Sequence, residues 1–249
     1  MKGNPMALRG KTALVTGGAV RIGRAIVEAL AAEGCRVVIH CDRSVAAAER
    51  VRLAVQRAKG KAWVVREHLD GQAACERVMA SAVAAAGRVD ILINNAAVFH
   101  KDTLVSLTEA RLHDEFMVNG FVPILLTRAF AARVRHGAVV NLLDRRIRAN
   151  DVACLPYSLS KKALAAFTEE AALSLAPRIT VNAVAPGAVL PPPGKGAAYL
   201  HDKAGRVPLG RRIMPGDIAR AVVALLALRG VTGQILYVDG GQHLLGNGA

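Results

Sequence analysis

Residues 12–33 read TALVTGGAVRIGRAIVEALAAE. Thr12–Thr16 is a short apolar run that ends in glycine, the pattern of a buried strand. From Arg24 to Glu33 apolar residues recur at helical spacing. Between them lies Gly17-Gly18-Ala19-Val20-Arg21-Ile22-Gly23. Strand, glycine turn and helix in succession form the context in which a dinucleotide fingerprint has physical meaning. Gly17 permits the tight turn, and Gly23 lets helix and strand approach closely. The helix N-terminus offers free N–H groups and partial positive charge to a pyrophosphate. Arg21, Ile22 and Gly23 open the helix side of this candidate cofactor site.

The same alternation continues along the chain. Strands are expected at Arg36–His40, Ala62–Arg66, Asp90–Ile93, Gly137–Leu143, Arg178–Val184 and Gln234–Val238. Helices are expected at Val45–Ala58, Gln72–Ala86, Glu109–Arg133, Pro156–Ala176 and Asp217–Leu228. No linker or internal repeat interrupts them. The reading is one α/β domain over residues 1–249, a Rossmann-type doubly wound parallel sheet of about seven strands with helices on both faces. Residues 1–10 read as a flexible leader. Residues 188–208, with three consecutive prolines and no sustained period, read as a substrate lid.

Ligands of such sheets bind beyond the C-terminal strand ends, where Gly17, Arg43, Asn94, Asp144 and Pro186 fall. Cys41-Asp42-Arg43-Ser44 stands where an adenosine ribose would rest. Arg43 and Ser44 favour a 2′-phosphate and hence NADPH, whereas Asp42 favours a free 2′-hydroxyl. Tyr157 and Lys161 are four residues apart and share one helix face. An ammonium beside a phenol is expected to lower the tyrosine pKa and suit it to proton transfer during hydride chemistry. Asn119, an amide inside an apolar helix, is either a structural hydrogen bond or part of a proton path.

Bulk composition narrows the alternatives. The chain has 249 residues, is 53% hydrophobic and carries a formal net charge of +14. No uncharged apolar run reaches the roughly 18–20 residues of a membrane span, and the short basic start lacks the apolar core of a secretory signal. The four cysteines have no metal-type spacing, so no metal is expected. Reduced thiols and a cytoplasmic location are. Aromatic residues are only 4% of the chain, so the stacking platforms of single-strand binders are missing. A nucleic-acid role is not favoured, and the charge reads as a solvated basic surface.

Taken together, these residues resemble the short-chain dehydrogenase/reductase family over nearly the whole chain. The shared pattern comprises Thr16-Gly17 through Gly23, Asn94-Asn95-Ala96, Asn119, Tyr157-x-x-x-Lys161, Pro186-Gly187 and Val238-Asp239-Gly240-Gly241. The resemblance implies Tyr157 as acid/base, Lys161 on the nicotinamide ribose and Asn119 supporting a water relay. It implies Asn95, Ala96, Pro186 and Gly187 as cofactor contacts, and a homotetramer built through the large helices. The family usually carries serine thirteen residues before the tyrosine; here that position holds Asp144. Asp144, Arg21, Arg43-Ser44 and Phe99 resemble the pteridine reductase branch. In that branch Arg21 would approach the pyrophosphate or substrate, Phe99 would stack on a flat ring, and Asp144 would help protonate a ring nitrogen. Ala97 and Val98 depart from that branch, which carries serines there. The expectation is an NADPH-dependent reductase of a pterin-like C=N bond. The alternatives are a carbonyl reductase such as a 3-oxoacyl-carrier-protein reductase, or a non-enzymatic dinucleotide-binding regulator.

Overall fold

The computed structural model describes residues 8–148, 150–191, 194–196, 198–199 and 205–245. Seven parallel strands form one sheet in the order β3-β2-β1-β4-β5-β6-β7. They are β1 (Thr12–Val15), β2 (Arg36–Cys41), β3 (Ala62–Arg66), β4 (Ile91–Asn94), β5 (Gly137–Leu142), β6 (Ile179–Pro186) and β7 (Ile235–Val238). Each expected strand is present within two residues of its expected ends. The central strands are largely apolar because both faces are covered: all four residues of β1 and of β4 are buried.

The helices are α1 (Arg21–Ala32), α2 (Val45–Arg57), α3 (Gln72–Ala86), α4 (Glu109–Phe116), α5 (Val122–Ala131), α6 (Leu155–Leu175) and α7 (Pro215–Ala227). On one face of the sheet Ile26, Val27 and Leu30 of α1 pack with Val51 of α2 and Ile218 and Val222 of α7. On the other, Val78 and Met79 of α3 pack with Leu126 and Phe130 of α5 and Ala171 of α6. The sheet order reverses between β1 and β4, which opens a crevice at their C-terminal ends.

Three differences from the sequence reading have local causes. Helix α1 begins at Arg21, three residues early, with Arg21 itself at φ +54°. The helix expected over Glu109–Arg133 is interrupted by a π turn at Met117–Phe121, where Val122 N–H bonds back to the Met117 carbonyl. Of the expected leader, residues 1–7 lie outside the described residues. Leu8 is buried in the core and accepts from the Cys35 thiol, and Gly10 N–H bonds to the Gly34 carbonyl. The segment expected as a lid is described only in part. Its near end is held, with Val189 buried and its carbonyl accepting from Arg212.

The tight approach of α1 to β1 rests on Gly23. A Cβ there would overlap the Gly17 carbonyl oxygen and lie 2.5 Å from Asn95 Nδ2. Gly23→Ala should therefore cost about 1–3 kcal/mol through overpacking, read as a lower urea midpoint with the slope unchanged. An unchanged midpoint would show that helix and strand can separate freely at this point.

Candidate active site

Threonine and asparagine side chains knit the sheet at its reversal. Thr16 Oγ1 accepts from the backbone N–H of Asn95 (2.9 Å) and Ala96 (3.0 Å), and Asn95 Nδ2 donates to the Thr16 carbonyl (2.8 Å) and the Gly17 carbonyl (3.2 Å). Gly17, at φ +60°, turns the chain against Ala96. Below it, His40 Nδ1 accepts from Gly17 N–H (3.3 Å) while Nε2 faces the Glu67 carbonyl (3.1 Å). A carbonyl can only accept, so Nε2 carries the proton and the ring is neutral. Burial, which pushes the His40 pKa down, agrees. Sequence reading passed over His40, although a polar residue inside a buried strand always needs partners.

The residues expected to hold a cofactor lie along this rim. Arg21 donates to the Pro191 carbonyl (2.9 Å) and, more weakly, the Leu190 carbonyl (3.4 Å), which joins the glycine turn to the start of the expected lid. Ile22 is half-buried against the core. A cavity of about 290 Å³ beside the turn is lined by Ala19, Val20, Arg21, Arg24, Ala47, Arg50 and Val51. Arg43 is 90% exposed, with its Nε 3.6 Å from an Asp42 carboxylate that also meets His68 (3.1 Å). Ser44 is the N-cap residue of α2, with no side-chain capping bond. Pro186 ends β6, and Gly187 N–H bonds to the Val238 carbonyl at the end of β7 (3.1 Å).

The expected chemical residues meet above β5. Tyr157 Oη donates to Asp144 Oδ2 (3.2 Å). Asp144 is paired with Arg146, whose Nη1 reaches both carboxylate oxygens at 3.2 Å and whose backbone N–H bonds Oδ1 (2.9 Å). Arg146 Nε also holds Asp151 at 2.6 Å. The Arg146 guanidinium lies over the Phe99 ring (5.5 Å), and Phe99 meets Tyr157 edge-on (4.7 Å). Tyr157, Asp144, Arg146 and Phe99 thus close a ring of contacts. Arg146 was legible in the sequence only as one of several arginines near Asp144.

The electrostatics correct one expectation. Lys161 was to lower the Tyr157 pKa, but here that pKa is raised well above 10. Burial is the largest cause and the neighbouring Asp144 charge the next; Arg146 opposes them. Lys161 is itself buried, with Nζ donating to the Leu142 carbonyl (2.8 Å) and lying 6.0 Å from the Tyr157 ring centre. Burial brings its pKa down from 10.5 to about 8, against the pull of Asp144 and Glu115.

Asn119 sits in the π turn, fully buried. Its Oδ1 accepts from Val98 N–H (3.0 Å), and its Nδ2 faces the Val98 carbonyl (3.0 Å), Glu115 Oε2 (2.5 Å) and Ser160 Oγ (3.3 Å). Glu115 is entirely buried; burial raises its pKa, and hydrogen bonds from His100 offset part of the rise. Sequence reading missed Glu115. Its spacing of four from Asn119, on one helix face, was the available signal.

Lys161 yields a prediction with a definite sign. Its folded pKa lies below its unfolded one, so between about pH 8 and 10.5 the unfolded chain binds more protons and stability from this group rises with pH. Below about pH 8 the burial penalty is fully present. Lys161→Met should flatten the pH dependence of the urea midpoint across that window. An identical slope in the variant would show that the ammonium titrates normally.

A family model described as enoyl-(acyl carrier protein) reductase matches residues 18–243. Among solved structures, the FolM alternative dihydrofolate reductase 1 of Brucella canis, complexed with NADP, is 35% identical with a TM-score of 0.91 and 96% of each chain covered. Its counterpart from Brucella suis, also in complex with NADP, is 36% identical with a TM-score of 0.90, covering 96% of this chain and 97% of the other. A Streptomyces violaceoruber protein named as ketoacyl reductase 2 of the granaticin polyketide synthase is 33% identical, with 94% of this chain and 96% of the relative covered. With its glycine turn, its strand order and matches of this extent, the chain belongs to the short-chain dehydrogenase/reductase family, an oxidoreductase of the kind that uses a nicotinamide dinucleotide.

Proposed function

We propose that this oxidoreductase uses NADPH to reduce a C=N bond in a flat, pterin-like ring. The observation that carries the reading is the Asp144 carboxylate bonded to Tyr157. A ketone substrate develops negative charge on oxygen, and an anion beside that oxygen raises the barrier. A C=N substrate instead gains a proton on nitrogen, which a carboxylate partner of the phenol can assist. Phe99, 41% exposed, offers an aromatic wall for a flat ring. The two Brucella relatives, named as alternative dihydrofolate reductases, add support by analogy.

The rim suits a phosphorylated dinucleotide. The cavity lined by Arg21, Arg24 and Arg50 is basic, and the exposed Arg43 has only a long contact to Asp42. Gly17, Arg21, Ile22 and Gly23 would hold the pyrophosphate end, Arg43 and Ser44 the 2′-phosphate, and Asn95, Ala96, Pro186 and Gly187 the inner end. NADPH, when bound, supplies the hydride. Tyr157 delivers the proton to the ring nitrogen, and Asp144 orients the phenol and passes the replacement proton. Lys161 anchors the ribose side, and Asn119 fixes the Val98 backbone beside the substrate wall.

Self-association as a homotetramer is supported by the exposed Phe121, Leu159 and Leu173 along the long helices, and size-exclusion chromatography tests it. All four cysteines are buried free thiols, in keeping with a cytoplasmic setting. No helix among the described residues is long and apolar enough to cross a membrane.

A second reading is a carbonyl reductase acting on a 3-oxoacyl thioester, favoured by the ketoacyl reductase relative. The charge of +14 would then aid docking of an acidic carrier. Dihydrobiopterin, dihydrofolate and acetoacetyl thioesters assayed side by side with NADPH and NADH separate the two, and turnover of the thioester alone would overturn the pterin reading. Tyr157→Phe should lower kcat by about 10²–10⁴-fold, the range of a lost general acid, with NADPH binding retained; wild-type rates would remove Tyr157 from the chemistry. Asp144→Ser should shift preference from pterin toward ketone, and unchanged dihydropterin turnover would remove the role given to the carboxylate.

A further inference from the structure

The cation expected to act on the phenol was Lys161, yet its ammonium donates to the Leu142 carbonyl and lies 6.0 Å from the Tyr157 ring centre. The cation that meets the phenol's acidic partner is Arg146. Its Nη1 spans both oxygens of Asp144, its Nε is fastened to Asp151, and its face covers Phe99. We propose that Arg146 is a positioning residue for proton transfer: it neutralises and orients Asp144 and backs the Phe99 ring, so that Tyr157 can release its proton to the substrate. The proposal rests on the reading of Tyr157 as the acid.

The geometry gives the reason. Without Arg146, Tyr157 would donate to a carboxylate that has lost its bonded cation, and giving up the proton would place a second anion 3.2 Å from the first. The charged groups around the phenol and its carboxylate partner are Asp144, Arg145 and Arg146 from the segment after β5, Glu115 from α4 and Lys161 from its own helix. Asp144 and Glu115 hold the proton on the phenol, and Arg146 opposes them. Arg146 also divides the slot: one face of Phe99 is covered by the guanidinium, which leaves the other for a flat substrate.

The test uses the full-length enzyme with NADPH and whichever substrate the wild type reduces, pterin or carbonyl. Arg146→Met keeps bulk and removes charge. It should lower kcat about tenfold and move the high-pH limb of the kcat/KM profile upward by about one unit, the scale of one lost opposite charge. Arg146→Lys keeps the charge but not the planar fork. It should leave the limb in place while raising KM for a flat ring several-fold. Asp151→Asn loosens only the outer fastening, so it should lower the melting temperature without moving the limb. A limb that stays put in Arg146→Met, or moves equally in Asp151→Asn, overturns the proposal and leaves Arg146 a structural clamp. If only carbonyls are reduced, the pterin reading fails while the limb still decides the role of Arg146. If Tyr157→Phe stays active, the acid assignment fails instead.

Discussion

The hydrogen bonds between Thr16 and Asn95 hold the sheet together at the point where its strand order reverses. β1 and β4 pair Val15 with Ile93, residues far apart in sequence, and their C-terminal ends are joined by side chain to backbone, not by ladder alone. The features proposed to face ligand are referenced to this seam. Gly17 turns against Ala96, α1 docks on the turn through Gly23, and His40 supports the turn from the neighbouring strand. A loose seam would let the glycine turn and the residues above β5 move independently; a fixed seam keeps the proposed cofactor rim and the proposed proton donor in one frame.

Within that frame the proton side is built from opposing charges in a dry setting. Burial keeps the phenol of Tyr157 protonated and discourages charge on Lys161. The carboxylates of Asp144 and Glu115 push one way and Arg146 the other. Burial is the largest influence on both Tyr157 and Lys161, and the nearby charges adjust it. The Tyr–Lys pair is therefore not a self-sufficient device. What the phenol can do depends on which cations and anions the loop after β5 brings near.

Much of the fold was legible because its signals are local and periodic. An apolar run ending in glycine marks β1, one ending in asparagines marks β4, and helical spacing marks α3 to the residue. The glycine turn, Asn95, Tyr157, Asp144 and Phe99 could be placed because strand ends in such a sheet converge. What escaped depends on tertiary context. The start of α1 at Arg21 needs a positive φ that no propensity suggests. The roles of His40, Glu115 and Arg146 arise from partners 27, 15 and 5 residues away. The sign of the Tyr157 shift was misjudged because spacing reveals that a lysine is near but not that both groups are dry.

The π turn at Met117–Phe121 carries one residue more than a regular helical turn would hold. The wide turn absorbs that extra residue, so α4 and α5 keep their facing; a further insertion or deletion between Glu115 and Asn119 would swing everything before it by about 100° around the helix axis. Glu115 and the approach to His100 would rotate off the face that meets Asn119, while α5 stayed seated on the sheet. The helix therefore behaves as two rods joined by a fixed wrench, and its length on the upstream side cannot drift by single insertions or deletions without uncoupling that end of the molecule from the crevice.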